Sequence, residues 1–199
     1  MGMDISAIYN RAIGDKAVDI YRDTFHQLPT GWRTLNHHIA NYWLPPGGNN
    51  TVQFGPVTIG HGYVLLPSGM KLEYAEPKLV WTADEQGVGG RWEYSYRYGK
   101  CWHRLYGAKL LENITQALAR IVVMNAALRI HAAGRYRPCP WAYRFVLQAH
   151  DELVFIVPDE ELNEAKRIIN QEMVRRPSWG PDIPLVAEIG AGNSYGAAK

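Results

Sequence analysis

Two apolar runs, Tyr143–Ala149 and Leu153–Val157, are separated only by His150-Asp151-Glu152. Such runs predict the two strands of a hairpin, with the segment's charged groups at its tip. A carboxylate on a tight turn between buried strands is held rigidly, and metal chemistry depends on rigid placement. Hard cations such as Mg²⁺ take oxygen ligands and keep positions open for phosphate oxygens. Asp151 is therefore the first candidate, with Glu152 and His150 beside it. If the turn follows the pleat, Glu152 points away from Asp151 and acts as a supporting carboxylate. Asp and Glu also make good solvated turns, and spacing alone favours that plainer account.

A second set of residues lies upstream. Arg91, Arg97, Lys100, Arg104 and Lys109 stand against one nearby acid, Glu93, and alternate with Trp92, Tyr94, Tyr96, Tyr98, Trp102 and Tyr106. Cations of this kind neutralise phosphates with salt-dependent affinity, and rings stack bases or cover a groove. A β-segment whose aromatics pack inward accounts for the same rings. Glu112, Gln116 and Arg120 follow at i, i+4 and i+8, which puts them on one stripe of a helix. There a Glu–Arg brace around an amide is the structural reading. His26, His37 and His38 lack the Cys or second spaced pair that a zinc site needs.

These side chains need elements to position them. Residues 4–28 carry helical spacing through Ile5, Ile8, Ala12, Ala17, Ile20 and Phe25, with a break predicted at Gly14-Asp15 and Asp15 as a cap. Pro29-Thr30-Gly31 predicts a turn, and Trp32–Trp43 a further helix that ends at the Pro/Gly/Asn cluster 45–50. From 51 to 106 the pattern changes to strand and turn: Val57–Ile59, Tyr63–Leu66, a turn at Pro67-Ser68-Gly69, then Lys71–Tyr74. Residues 86–90 are another break, and Trp92–Tyr98 alternates with period two, a strand with an aromatic face. A long helix is predicted over 107–132, stopped by Gly134. A polar connection at 135–140 leads into the hairpin. Pro158-Asp159 opens a helix with Leu162, Ala165, Ile168, Ile169 and Met173 on one face, Leu185–Ile189 is a last short strand, and a glycine-rich tail follows.

Composition narrows the classes. The 199 residues are 47% hydrophobic and 20% charged, enough for a core and against a mainly disordered chain. Lys+Arg number 21 against 19 Asp+Glu, so the formal charge is only +2 and any basic surface must be local. Two cysteines are too few for a disulfide scaffold or a four-thiolate zinc site, which points to a reducing cytosol. No signal peptide is visible, and no run approaches the roughly 20 apolar residues that span a membrane. Seven Trp and 12 Tyr suggest surfaces that bind something, while core and half-buried packing accounts for them somewhat better.

Phe145-Val146-Leu147-Gln148-Ala149-His150-Asp151-Glu152-Leu153-Val154-Phe155 resembles the third catalytic motif of family A DNA polymerases. Glu112-Asn113-Ile114-Thr115-Gln116-Ala117-Leu118-Ala119-Arg120 is similar to the palm helix whose Gln contacts the primer-template, in its bacteriophage form. Val57–Val80, with Leu66-Pro67-Ser68-Gly69-Met70-Lys71-Leu72, resembles the segment joining fingers to palm. Lys16–Ala40 is similar to the helices after the nucleotide-binding helix. The resemblance implies an α+β fold: a helical N-terminal lobe, a β-rich middle, then a palm-like antiparallel sheet whose catalytic-type hairpin packs on two long helices. The expected segments are late fingers helices at 1–50, a β-rich connection at 51–106 and a C-terminal palm subdomain at 107–199.

By that likeness Asp151 binds catalytic Mg²⁺ in nucleotidyl transfer, Glu152 supports it, and His150 lies near the primer end. Gln116 senses pairing through minor-groove acceptors present on every Watson–Crick pair. Bacterial repair-type members carry Asn and Arg one and two turns before that Gln. Here Glu112 and Ala108 stand there, and Lys109 is the replacement DNA contact. Arg120, Arg97 and Arg104 are the remaining DNA-binding candidates.

The family's second metal-binding Asp and its nucleotide-binding fingers helix have no counterpart in this sequence. The two-metal site is therefore expected to be completed by residues absent from this chain, which would be nearly inactive alone. It would be a cut-down form, a truncated prophage product or one half of a split enzyme. The implied partners are DNA primer-template, dNTP, the missing N-terminal half, and a second copy held through exposed apolar faces. No membrane partner is expected, and the implied location is the cytoplasm of a bacterial cell, phage or prophage encoded. The alternatives are a non-catalytic nucleic-acid-binding module built on a polymerase palm, and a metal-dependent hydrolase using Asp151, Glu152 and His150.

Overall fold

The structure, a computed structural model, describes residues 5–47, 50–83, 89–135 and 143–198. Parts of three expected breaks, at 48–49, at 86–88 and at 136–140, lie outside the described residues, as does Cys139. The fold is α+β, with antiparallel sheets of four, three and two strands. Two compact units divide the chain, Met1–Ile114 and Thr115–Lys199.

The first unit opens with α1 (Ile5–Thr24) and α2 (Gln27–His38), which runs into a π turn at Ile39–Trp43. The predicted break at Gly14-Asp15 lies inside α1, so Asp15 caps nothing. One glycine costs a helix about 1 kcal/mol relative to Ala, too little to end it when its neighbours continue the pattern. The turn expected at Pro29-Thr30-Gly31 is likewise the first part of α2. Proline is tolerated in a first turn because its missing N–H has no intrahelical acceptor there. Leu35, Ile39 and Trp43 follow at four-residue spacing and are fully buried.

Strands β1 (Val52–Phe54), β2 (Val57–Gly60), β3 (Tyr63–Leu65) and β4 (Lys71–Glu73) form an antiparallel meander in sequence order. Val57, Ile59 and Val64 face its core. The turn before β4 is the predicted one: Gly69 has φ +83°, a conformation that glycine adopts without a side-chain penalty. Strands β5 (Ala75–Ala83), β6 (Gly90–Tyr98) and β7 (Cys101–Leu105) make the three-stranded sheet. Asn113 Nδ2 donates to Tyr74 Oη at 3.1 Å, and the Tyr74 ring meets Trp43 and Tyr96 edge-on at 6.1 and 4.9 Å. α3 (Gly107–Arg135) starts where Gly107 N donates to Asn36 Oδ1 at 2.7 Å. A Cβ at Gly107 would lie 2.0 Å from the Trp32 carbonyl oxygen, so α2 and α3 approach only over a glycine.

In the second unit, most of α3 is followed by β8 (Arg144–Ala149), β9 (Glu152–Ile156), a 3₁₀ turn at Asp159–Glu161 and α4 (Leu162–Met173). Its core gathers Ile130, Tyr143 and Ala165 with Leu153, Phe155, Ile168 and Met173, so the hairpin packs on two helices. Arg129 bonds the Glu172 carboxylate through Nε and its carbonyl through an NH2 group at 2.9 Å, tying α3 to α4. Gly134 does not stop α3, which continues to Arg135. A Cβ there would come within 2.7 Å of Tyr143 Cβ, so this glycine admits the Tyr143 side chain. The expected strand at Leu185–Ile189 alternates half-buried and exposed residues but joins no ladder. By length and composition alone, Gly107–Gly134 is apolar enough to cross a membrane, contrary to the expectation from the sequence. A helix that seats Ile130 in a core and bonds Glu172 through Arg129 also fits a globular interior.

Burial, partly offset by the Asn113 hydrogen bond, pushes the Tyr74 hydroxyl from 10.0 up to about 12. A group with a raised folded pKa contributes stability that is whole below its unfolded value and lost as pH rises through the folded one. A shift of that size corresponds to about 2–3 kcal/mol at most. The wild-type urea midpoint should therefore fall more steeply from pH 10 towards 12 than that of Tyr74→Phe. Parallel pH profiles for the two proteins would refute this.

Candidate metal-binding hairpin and nucleic-acid-facing helix

The register of β8 and β9 pairs Ala149 with Glu152, which leaves His150 and Asp151 as a two-residue loop. His150 has φ 53°, in the left-handed region where His, Asn and Asp are enriched among non-glycine residues. Gln148 Nε2 donates to the His150 carbonyl at 3.2 Å and fastens the loop from the β8 side. Asp151 is exposed at the tip, as expected. Glu152 is not part of the tip. It opens β9, is half-buried, and its Oε2 accepts from Tyr195 Oη at 2.6 Å. Both residues border the same groove, but only Glu152 is tied down by the tail.

The expectation of two buried strands fails for β8. Phe145, Val146 and Leu147 are 37–44% exposed, because the hairpin is a two-stranded sheet and its β8 edge has no neighbouring strand among the described residues. A register shift between Phe145 and Leu147 marks a bulge, a feature often found beside functional sites.

A groove of about 660 Å³ lies beside the tip. It is bounded by α3 at Val122 and Ala126, the hairpin at Asp151 and Leu153, α4 at Leu162 and Ile169, and the tail 185–193. The tail folds back on itself: a Cβ at Gly190 would meet the Ala198 carbonyl oxygen at 1.6 Å. This turn delivers Tyr195 to Glu152. Sequence reasoning passed over Tyr195 as part of a glycine-rich tail. The available signal was a single aromatic among Gly, Ala, Ser and Asn.

Asp151 offers the hard oxygen that Mg²⁺ prefers, in an exposed and fixed position. Among the described residues, however, no group of three or more His, Cys, Asp or Glu side chains is close enough to hold a metal. Asp151 is thus a lone oxygen donor among the described residues, and no catalytic step through a metal follows from it.

On α3, Glu112, Gln116 and Arg120 are exposed. The Glu112 carboxylate pairs with Lys109 Nζ at 3.1 Å, so the acid of the expected Glu–Arg brace is engaged one turn towards the N-terminus. Gln116 lies about 9 Å along the helix axis from Val122, where α3 begins to line the groove. Arg97 and Arg104 lie on β6 and β7, in the same unit as Lys109 and Glu112, whereas Gln116 and Arg120 fall in the second unit. Arg97 pairs with Glu76 at 2.8 Å and Arg104 with Glu93 at 3.1 Å. The hydrogen bond from Arg91, with the Arg104 charge adding, holds the Glu93 carboxyl below its ordinary range. His38 is pushed down by burial and by neighbouring His37.

Residues 112–197 match the family model described as DNA polymerase family A. The chain is 32% identical over 179 residues to a DNA polymerase of Bacillus phage SP02, covering 81% of this chain and 26% of that protein. It is 37% identical over 60 residues to a thermostable DNA polymerase I of Thermus filiformis, covering 30% of this chain and 7% of that one. No solved structure matches.

Two expected outcomes test the hairpin. Tyr195→Phe should lower stability by about 1 kcal/mol and speed amide hydrogen exchange at 150–154, leaving α1 and α2 unchanged. Unchanged exchange at the tip would show that the tail does not hold it. His150→Val should destabilise by about 1–2 kcal/mol, because a β-branched side chain resists positive φ, whereas His150→Gly should stay within about 1 kcal/mol of wild type. Equal melting points for the two variants would contradict the left-handed loop.

Proposed function

We propose, on the premise that residues 112–197 belong to DNA polymerase family A, that this chain contributes the primer-template-facing C-terminal part of a DNA-directed DNA polymerase. The observation that carries the reading is Asp151 at the exposed tip of a two-residue hairpin loop, inside the matched segment. The chain spans about a quarter of the phage relative, 26% of its length. In this proposal the remaining metal ligands and the dNTP-binding groups are supplied by residues that this sequence does not contain.

In this reading Asp151 supplies one oxygen ligand to Mg²⁺. When bound, the metal stabilises charge on the attacking 3′-oxygen and on the leaving pyrophosphate oxygen. Glu152, held by Tyr195, fixes the base of the loop. His150 lies against the primer terminus. Gln116 presents an amide donor to minor-groove acceptors and senses pairing without reading sequence. Arg120, on the same stripe, neutralises a phosphate. The second reading is a nucleic-acid-binding module without catalysis. It draws on the exposed Gln116 and Arg120 of α3, which need no metal to meet DNA.

Primer extension with Mg²⁺ or Mn²⁺ separates the two, using the chain alone and the chain mixed with the upstream part of a phage-type polymerase. Extension is expected only on mixing. Asp151→Asn should reduce it by at least about a hundredfold while primer-template affinity changes less than about twofold. Primer-template binding without extension on mixing would establish the second reading. Failure to bind primer-template at low salt would remove both.

A further inference from the structure

The residues 91–109 intermix rings and cations in sequence, and the strands sort them onto opposite faces. The register pairs Trp81 with Trp92, Leu79 with Tyr94, Tyr94 with Leu105, and Tyr96 with His103, so apolar and aromatic side chains share one face of the β5–β7 sheet. Part of that face turns inward, with Leu105 buried and Tyr96 against Tyr74. The opposite face carries Lys78, Arg91, Arg97 and Arg104, which the register places beside Ser95, Thr82 and Trp102. Trp102 is the ring that alternation delivers to the cationic side.

This face is organised in advance. Glu93 takes Arg91 at 2.6 Å and Arg104 at 3.1 Å, and Thr82 Oγ1 donates to it at 3.3 Å. Its own side chain is 11% exposed, while the two arginines remain 68% and 44% exposed. One acid thus fixes two guanidiniums whose other donors face solvent. Arg97 is held by Glu76 and by its Nε bond to the Gly99 carbonyl at 3.0 Å. Lys78 Nζ rests 3.2 Å from the Trp102 ring centroid, and the Arg104 guanidinium lies over Tyr106 at 5.2 Å. Cations outnumber acids here, in a chain whose formal charge is only +2.

We propose that the Lys78–Arg91–Arg97–Arg104 face of the β5–β7 sheet binds single-stranded DNA, with the arginines on successive phosphates and a base stacked on Trp102. Charge complementarity selects a polyanion. The exposed ring on the same face selects unpaired bases, because a duplex hides its base faces and would engage the cations alone. An arriving base displaces the Lys78 ammonium from the ring and leaves it free to meet the adjoining phosphate. The proposal deepens the polymerase reading by naming the unpaired template strand as occupant, and rests on that reading for the choice of DNA.

The test uses fluorescence anisotropy of the full chain with a labelled oligo-dT and with a blunt duplex of similar length. Arg91→Ala/Arg104→Ala should weaken oligo-dT binding at least about tenfold and reduce the salt slope by about 1.4. Because that pair leaves Glu93 without its partners, a companion variant adds Glu93→Gln and should show the same loss with a wild-type melting curve. Trp102→Ala should weaken oligo-dT roughly fivefold or more, with duplex affinity changing less than about twofold and Trp102→Phe restoring most of the loss. Unchanged oligo-dT affinity in the arginine variants, or equal losses on duplex in Trp102→Ala, would overturn the proposal. If extension never appears on mixing while the Trp102 and arginine effects persist, the polymerase reading falls and this surface stands.

Discussion

Side chains alternate across an antiparallel strand, and a short loop fixes the register in which two strands meet. The hairpin tip and the cationic face of the three-stranded sheet both follow from that constraint. Between β8 and β9 it leaves two residues for the loop, so Asp151 faces water while Glu152, one position later, begins a strand and reaches Tyr195. A slip of one residue would exchange their environments. Between β5, β6 and β7 the same alternation divides a mixed sequence into an aromatic face and a cationic one. A hairpin with one free carboxylate and a sheet with one charged face are two outcomes of the same geometry.

Glycines decide where the backbone closes tightly enough to hold these strands. Gly107 lets α3 start against α2, and Gly134 makes room for Tyr143, which begins the approach to β8. Gly190 allows the tail to fold back and present Tyr195. None of these three has the positive φ that usually explains a required glycine. Their role is contact distance, and any side chain there would press on backbone or on the first carbon of a neighbour.

The hairpin and α3 were legible in the sequence because each carries a strong local period and an abrupt end. The three-stranded sheet was only partly so. β6 alternates over nine residues, but β5 contains Pro77 beside Glu76 at φ 52°, and the ladder shifts between Ala75 and Lys78. β7, Cys101–Leu105, has no alternation to find. Missing those partners also hid the sorting of charge, since which face a residue joins depends on the whole ladder. At Gly14 and Pro29 the local breaker signal was real but lost to the helical pattern around it. The Tyr195–Glu152 bond joins residues 43 apart, and no local period records such a contact.

The near-neutral total charge is compatible with this cationic face because its arginines are each held by a nearby acid. Arg91 and Arg104 share Glu93, Arg97 has Glu76, and Lys109 has Glu112. Each acid cancels formal charge while restricting the rotamers of its partner, so less entropy is lost when a phosphate arrives. The same pairing sets a limit, because a phosphate must share guanidinium donors with a carboxylate already in place. Binding built this way is ordered but shallow and weakens steeply with salt.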